Sequence, residues 1–153
     1  MVAARRRFLD AGYYQPILQT LQALIKRFAP NARTVLDAGC GEGYYLSGLT
    51  EVGERWGIDI SKDAVRFAAA REKHAHWLTA TAAHLPFAAA SFDCVLSMFA
   101  LTAAAEFARV LKPEGCFIQV LAGANHLPAL KRIIYPEVRE RELDCLLYTS
   151  DAA

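Results

Sequence analysis

Residues 35–45 read Val35-Leu36-Asp37-Ala38-Gly39-Cys40-Gly41-Glu42-Gly43-Tyr44-Tyr45, and the fold follows from this run. An apolar stretch ends in an acid, three glycines alternate with other residues, and a segment able to start a helix comes next. A chain turning this sharply from strand to helix needs glycine for left-handed backbone angles and for close approach to a ligand. The start of the helix is also expected to offer unpaired N–H groups to an anionic or polar partner. The spacing Gly-x-Gly-x-Gly differs from the Gly-x-Gly-x-x-Gly of NAD enzymes.

A second acid stands at a matching distance. Gly57-Ile58-Asp59-Ile60-Ser61 reads as a short buried strand ending in Asp59, with Ser61 placed to N-cap the next helix. Asp59 lies 20 residues after Gly39. In nucleotide-binding α/β folds an acid at about that distance, roughly 20 residues on, accepts hydrogen bonds from ribose hydroxyls. The alternative is a loop aspartate that only helps to cap a helix. Both signals in register favour the ligand role.

The chain has 153 residues, enough for one domain with a real core. Its 54% hydrophobic content excludes a disordered protein. No apolar stretch approaches the ~20 residues needed to cross a membrane. The first residues lack the apolar core of a signal peptide, so a cytoplasmic location is expected. Cys40, Cys94, Cys116 and Cys145 are widely scattered, which fits reduced thiols and argues against a zinc site or a disulfide framework. A net charge of +1 does not make the whole chain an electrostatic nucleic-acid binder. Arg5, Arg6 and Arg7 form one dense basic cluster, read as a solvated helix start in preference to a phosphate contact.

Strand and helix patterns alternate along the chain. Residues 14–28 carry Ile17, Leu18, Leu21, Leu24, Ile25 and Phe28 at helical spacing, with Pro16 in the first turn. Strands are expected at 34–37, 55–60, 77–80, 92–98 and 116–121, and helices at 43–52, 62–74, 103–111 and 127–134. The 92–98 segment is nearly continuous in apolar residues, as expected of a strand covered on both faces. Lys112-Pro113-Glu114-Gly115 reads as a turn. Such alternation implies a parallel sheet with right-handed connections and helices on both faces. Ligands bind such sheets outside the carboxyl ends of the strands. Asp37, Asp59, Thr81 and the Met98–Leu101 stretch all fall there.

The glycine run with its acid resembles motif I of the class I S-adenosylmethionine (SAM) methyltransferases. Further segments narrow the resemblance to the bacterial 23S rRNA (guanine-N1)-methyltransferases of the RlmA type. They are Phe8-Leu9-Asp10-Ala11-Gly12 with Tyr14-Gln15-Pro16, Cys40-Gly41-Glu42-Gly43-Tyr44-Tyr45, and Leu85-Pro86-Phe87. Ala108-Arg109-Val110 with Lys112-Pro113, and His126-Leu127 with Leu130-Lys131 and Ile134-Tyr135, continue the match over about residues 3–138. The implied fold is α/β: Rossmann-like, doubly wound, with a mostly parallel sheet truncated after its fifth strand. The resemblance implies SAM contacts at Tyr14, Gly41, Glu42 and His126, and the wider fold adds Asp37, Gly39, Gly43 and Asp59. Many relatives carry an aspartate where Thr81 stands, and the RlmA type carries a small hydroxyl residue there. Taken alone, Tyr14 would read as aromatic packing at a helix start and His126 as a neighbour of a helix cap.

The resemblance also implies departures. The family begins with a zinc-binding domain whose cysteines and histidine would precede Met1, so zinc is expected only there, with no metal held by this chain. The family continues past position 140 with two more strands. Residues 145–153 match nothing in it and read as a non-native tail. The expected organisation is therefore a helical lead-in at 1–32, an incomplete SAM-binding core at 33–144 and that tail. The whole reads as an internal fragment whose last apolar strand would be left as an aggregation-prone edge. The implied activity is methyl transfer from SAM to N1 of a guanine in a 23S rRNA hairpin, with no membrane and no protein partner. Guanine N1 lies in the pairing edge, so the base must be exposed or flipped and held by stacking. Phe99 and Tyr44 lie near the expected cleft, with core packing the favoured role for each, and no proton acceptor is identifiable. Two alternatives stay open: a small-molecule (quinone or metabolite) methyltransferase, and a SAM-binding core without activity.

Overall fold

The computed structural model describes residue 7 and residues 9–123. The chain divides into two compact units, residues 1–120 and 121–153, and of the second only 121–123 fall among the described residues. The expected helix at 127–134 and His126 lie outside them.

The first unit is built on helix α1 (Gln15–Phe28), strand β1 (Thr34–Ala38), the short helix α2 (Tyr44–Ser47), and strand β2 (Glu54–Asp59). Helix α3 (Lys62–Arg71), strand β3 (His76–Thr79), strand β4 (Phe92–Met98), helix α4 (Ala104–Val110) and strand β5 (Leu111–Val120) complete it. The five strands among the described residues are all parallel, in the order β3-β2-β1-β4-β5. The chain runs outward from β1 through β2 to β3, then returns to the other side of β1 as β4. This reversal makes the β1/β4 boundary the switch point, where the carboxyl ends of the strands open a crevice.

Each face of the sheet carries its own apolar cluster. Val35 joins Leu18, Leu21 and Ile25 of α1 with Tyr45 and Leu46 of α2. Leu36 and Ala38 join Phe107 and Val110 of α4, with Leu85, on the opposite face. A period of two along β1 thus feeds both cores. The β4–β5 register is irregular between Phe92 and Cys94. Phe92 and Val95 accordingly face one core, and Cys94, Leu96 and Met98 the other.

Three expected boundaries move for physical reasons. The helix expected over 43–52 is only Tyr44–Ser47, because Gly48 and Leu49 tighten into N–H bonds to Tyr45 and Leu46. A Cβ at Gly48 would stand 2.6 Å from Leu18 Cδ2, so the glycine admits α1. Helix α3 stops at Arg71, three residues before the expected end, because the Glu72 carboxylate turns back to accept from the His74 N–H at 2.7 Å. Lys112-Pro113-Glu114-Gly115, expected as a turn outside the sheet, is carried inside β5: Leu111 pairs with Phe92 and Cys116 already pairs with Cys94.

Candidate functional site

The glycine run forms the link between β1 and α2, and each glycine has positive φ: +88° at Gly39, +56° at Gly41 and +76° at Gly43. Two positions show why glycine is needed. A Cβ at Gly39 would lie 2.5 Å from Ala100 Cβ, so the loop after β4 can approach only because position 39 has no side chain. At Gly41 an added Cβ would meet nothing within 4 Å, so the backbone there faces open space. Gly43 precedes α2 and sits under the Trp77 ring.

The loop is pinned to β2. The N–H groups of Gly39 and Cys40 both donate to the Ile58 carbonyl at 2.9 Å. The Gly41 N–H donates to Asp59 Oδ2 at 2.9 Å, and the Ser61 N–H to Asp59 Oδ1 at 2.8 Å. The Gly43 N–H donates to the Cys40 carbonyl. The donors of Gly39, Cys40, Gly41 and Gly43 thus close the turn itself, and the helix that follows, α2, has four residues. Asp59 holds the loop to the start of α3, where Ser61 Oγ accepts from the Ala64 N–H. An ionised carboxylate has about four acceptor sites, so both oxygens retain capacity for hydroxyl donors.

Asp37, at the end of β1, is fully buried, and neither carboxylate oxygen has a hydrogen-bond partner among the described residues. Burial first, and the Asp59 charge second, push its carboxyl up to about 7. The same burial, with the Asp37 and Asp59 charges, pushes the Cys40 thiol up and keeps it unreactive. Glu42 is also buried, with Arg71 Nη2 3.6 Å from Oε1. Arg71 Nη1 also holds Asp10 Oδ1 at 2.9 Å, and its guanidinium lies 5.8 Å from the centre of the Tyr44 ring. This side chain therefore ties the segment before α1 to the glycine loop. A narrow recess of about 10 Å³, room for roughly one water, is lined by Leu9, Gly39, Cys40, Glu42, Tyr44, Tyr45 and Met98.

Tyr14, at the start of α1, packs edge-on against Phe99 with ring centres 6.0 Å apart, and Phe99 lies 6.4 Å from Tyr45. Phe99 has φ +57°, an uncommon angle for a bulky residue. Its N–H donates to the Val120 carbonyl, which holds the bend just past β4. Thr81 is exposed beyond β3; its Oγ1 accepts from the Ala83 N–H, and the neighbouring Ala80 N–H donates to the Asp59 carbonyl. Tyr14, Asp37, Gly39, Gly41, Glu42, Gly43, Asp59 and Thr81 all belong to or adjoin the carboxyl end of the sheet.

Two residues not among the expected cofactor contacts join them. Ile60 is 78% exposed directly beside Asp59, and Leu101 is 83% exposed beyond β4. Large aliphatic side chains left in water on a site rim offer apolar cover to a flat ligand. An isoleucine after a strand-ending aspartate was the available sequence signal. Period-two burial would instead have turned it inward.

Comparison with known proteins agrees with this geometry. The family described as "Methyltransferase domain" matches residues 36–119, more than half of the chain. YxjB of Bacillus subtilis (strain 168), provisionally named as a 23S rRNA (guanine-N1)-methyltransferase, is 34% identical over 147 residues, covering 90% of this chain and 52% of its own. The 23S rRNA (guanine(748)-N1)-methyltransferase of Streptomyces fradiae is 33% identical over 136 residues, covering 85% of this chain and 49% of its own. The chain thus spans about half the length of these curated relatives. Among solved structures, a SAM-dependent methyltransferase from Methanosarcina mazei superposes with a TM-score of 0.64 at 27% identity, covering 74% of this chain and 63% of that one. With the glycine loop, the strand-end acids and the switch point in place, the chain belongs to the methyltransferase domain family.

Proposed function

We propose that this chain is the SAM-binding core of an enzyme that methylates N1 of a guanine in 23S rRNA. The observation that carries the SAM reading is the Gly41–Asp59 junction. An acid on β2 clamps a glycine loop whose backbone faces open space, with the unpartnered, buried Asp37 carboxylate close behind. A nucleoside fits a carboxylate with spare acceptor sites flanked by exposed Ile60, and a cation would relieve the repulsion between Asp37 and Asp59. Asp59 would hold the ribose hydroxyls, Gly39, Gly41 and Gly43 would let the backbone approach, and Thr81 would border the base. Tyr14, Glu42 and His126 are assigned to the cofactor by resemblance. Bound SAM supplies an electrophilic methyl group on a sulfonium. The chain's own share is positioning and exclusion of water.

The RNA acceptor rests on the printed names of the relatives, which belong to those proteins. A second reading, a small-molecule acceptor, is favoured by the net charge of +1, low for a protein that binds RNA through this domain alone. Zinc and the hairpin contacts would come from parts of the enzyme outside this chain.

Titration calorimetry with SAM tests the first level. Saturable binding is expected for the native chain, and Asp59→Ala should weaken it by roughly 1–3 kcal/mol. Unchanged affinity would remove Asp59 from the site. Transfer of labelled methyl groups from SAM to unmethylated 23S rRNA, with digestion to nucleosides, tests the second. N1-methylguanine supports the proposal, whereas label found only on added small quinones or metabolites supports the other acceptor.

A further inference from the structure

Cys94 and Cys116 are Cα partners across β4 and β5. Both side chains belong to the apolar face under α1, so they project from the same side of the sheet. Neighbouring strands stand about 4.8 Å apart, inside the roughly 4.4–6.8 Å between Cα atoms that a disulfide spans. The break in register sits immediately before this pair, where residues 112–115 bulge between Leu111 and Cys116. That local irregularity lets β5 adjust without dragging a regular ladder.

The two thiols differ in the way such chemistry needs. Cys94 is fully buried in the core, whereas Cys116 is partly exposed on the sheet's outer strand. The neighbouring Cys94 thiol, as a donor, holds the Cys116 thiol below the usual thiol range, against the upward push of its own burial. Cys94 is pushed up by donating that bond, by burial, and by the Cys116 and Asp93 charges. A partly exposed thiol shifted toward its thiolate beside a second, buried thiol is the arrangement that peroxides oxidise selectively. Cys40 is the internal contrast: buried in the glycine loop, next to two acids and without a thiol partner given by the sheet register.

We propose that Cys94 and Cys116 form an oxidative modification site, at which hydrogen peroxide converts the thiol pair into a disulfide joining β4 to β5. The Cys116 thiolate attacks one peroxide oxygen; the O–O bond breaks, hydroxide leaves, and Cys116 becomes a sulfenic acid. That step removes the Cys116 negative charge, and with it one of the forces keeping Cys94 protonated. The Cys94 sulfur then attacks the sulfenic sulfur, the S–O bond breaks, and water departs with the Cys94 proton. Both cysteines are oxidised, and the peroxide is reduced to two waters once the hydroxide takes up the proton Cys116 had released. The site stands independently of methyl transfer.

The test uses the 153-residue chain in a Cys145→Ser background, treated with hydrogen peroxide at pH 7 and read by intact mass and peptide mapping. Loss of two hydrogens, with a linked pair of peptides containing Cys94 and Cys116, is the expected result. In a Cys94→Ser variant, Cys116 should stop at the sulfenic acid and take a dimedone adduct. Iodoacetamide should alkylate Cys116 roughly tenfold or more faster than Cys40. Sulfinic acid at Cys116 without linkage would overturn the pairing. A Cys116 that neither alkylates nor reacts with dimedone would overturn the site.

Discussion

At Asp37, burial and the Asp59 charge lift a carboxyl to about 7, so this group changes charge in the physiological range. The folded pKa lies above the unfolded one, so the folded state binds the extra proton. Its stabilising contribution is complete below about pH 4, the unfolded value, and is lost as pH rises through about 7. The native chain without cofactor should therefore lose urea resistance between those values, while Asp37→Asn should be nearly flat there. A flat native profile would contradict the shift. If SAM's positive charge favours ionised Asp37, binding near pH 7 should release protons. Calorimetry in buffers of differing ionisation enthalpy would detect this, and identical heats would disconnect Asp37 from the ligand. Gly39→Ala makes a steric prediction: a methyl 2.5 Å from Ala100 Cβ cannot be accommodated at φ +88°. It should lower both thermal midpoint and SAM affinity, whereas Gly41→Ala, with strain but open space, should spare folding more than binding.

Between elements, a few side chains decide how loops sit on the sheet. Arg109 donates to the carbonyls of Leu85 and Phe87 and pairs with Glu106, which also accepts from the Leu85 N–H. Two sequence segments that carry the family resemblance, Leu85-Pro86-Phe87 and Ala108-Arg109-Val110, are thus bound to each other. At the amino ends of β1 and β4 Asp93 gathers the N–H groups of Arg33 and Thr34, the Thr34 hydroxyl and Lys112 Nζ. Burial pushes the Asp93 carboxyl up, but these donors outweigh it and hold the group well below the usual carboxylate range. Its contribution is present above the unfolded value of about 4 and is lost as pH falls below it. Asp93→Asn should cost about 1 kcal/mol at pH 7, since the site is partly solvated. The difference from the native chain should shrink below about pH 4. A constant difference down to the acid transition would refute this assignment.

For the molecule as a whole, ligand and fold are coupled by mass action. A ligand that binds only the folded state adds about 2.7 kcal/mol at a hundredfold excess over Kd. SAM should therefore raise the thermal midpoint of the chain in a concentration-dependent way. No shift at millimolar SAM would support a core that does not bind. Among the described residues no helix is long and apolar enough to cross a membrane.

The succession of strands and helices along the chain could be anticipated because its determinants are local. Apolar runs at 34–37 and 92–98, the glycine turn and the two strand-end acids are readable from neighbours in the chain, and the observed β1, β2 and β4 agree within a residue or so. Ser61 as a helix cap was legible for the same reason. What the sequence could not determine are effects of contact between distant segments. Gly48, just past α2, leaves the space that Leu18 fills, and residues 112–115 are carried within β5 as a bulge because Leu111 and Cys116 on either side pair with Phe92 and Cys94. The elevated Asp37 carboxyl, the Arg71 tie between Asp10 and Glu42, and the Cys94–Cys116 pair arise only when burial and register bring those groups together. Backbone preference acts over a few residues and is written in their order, whereas desolvation and charge proximity depend on distances that only the folded sheet sets.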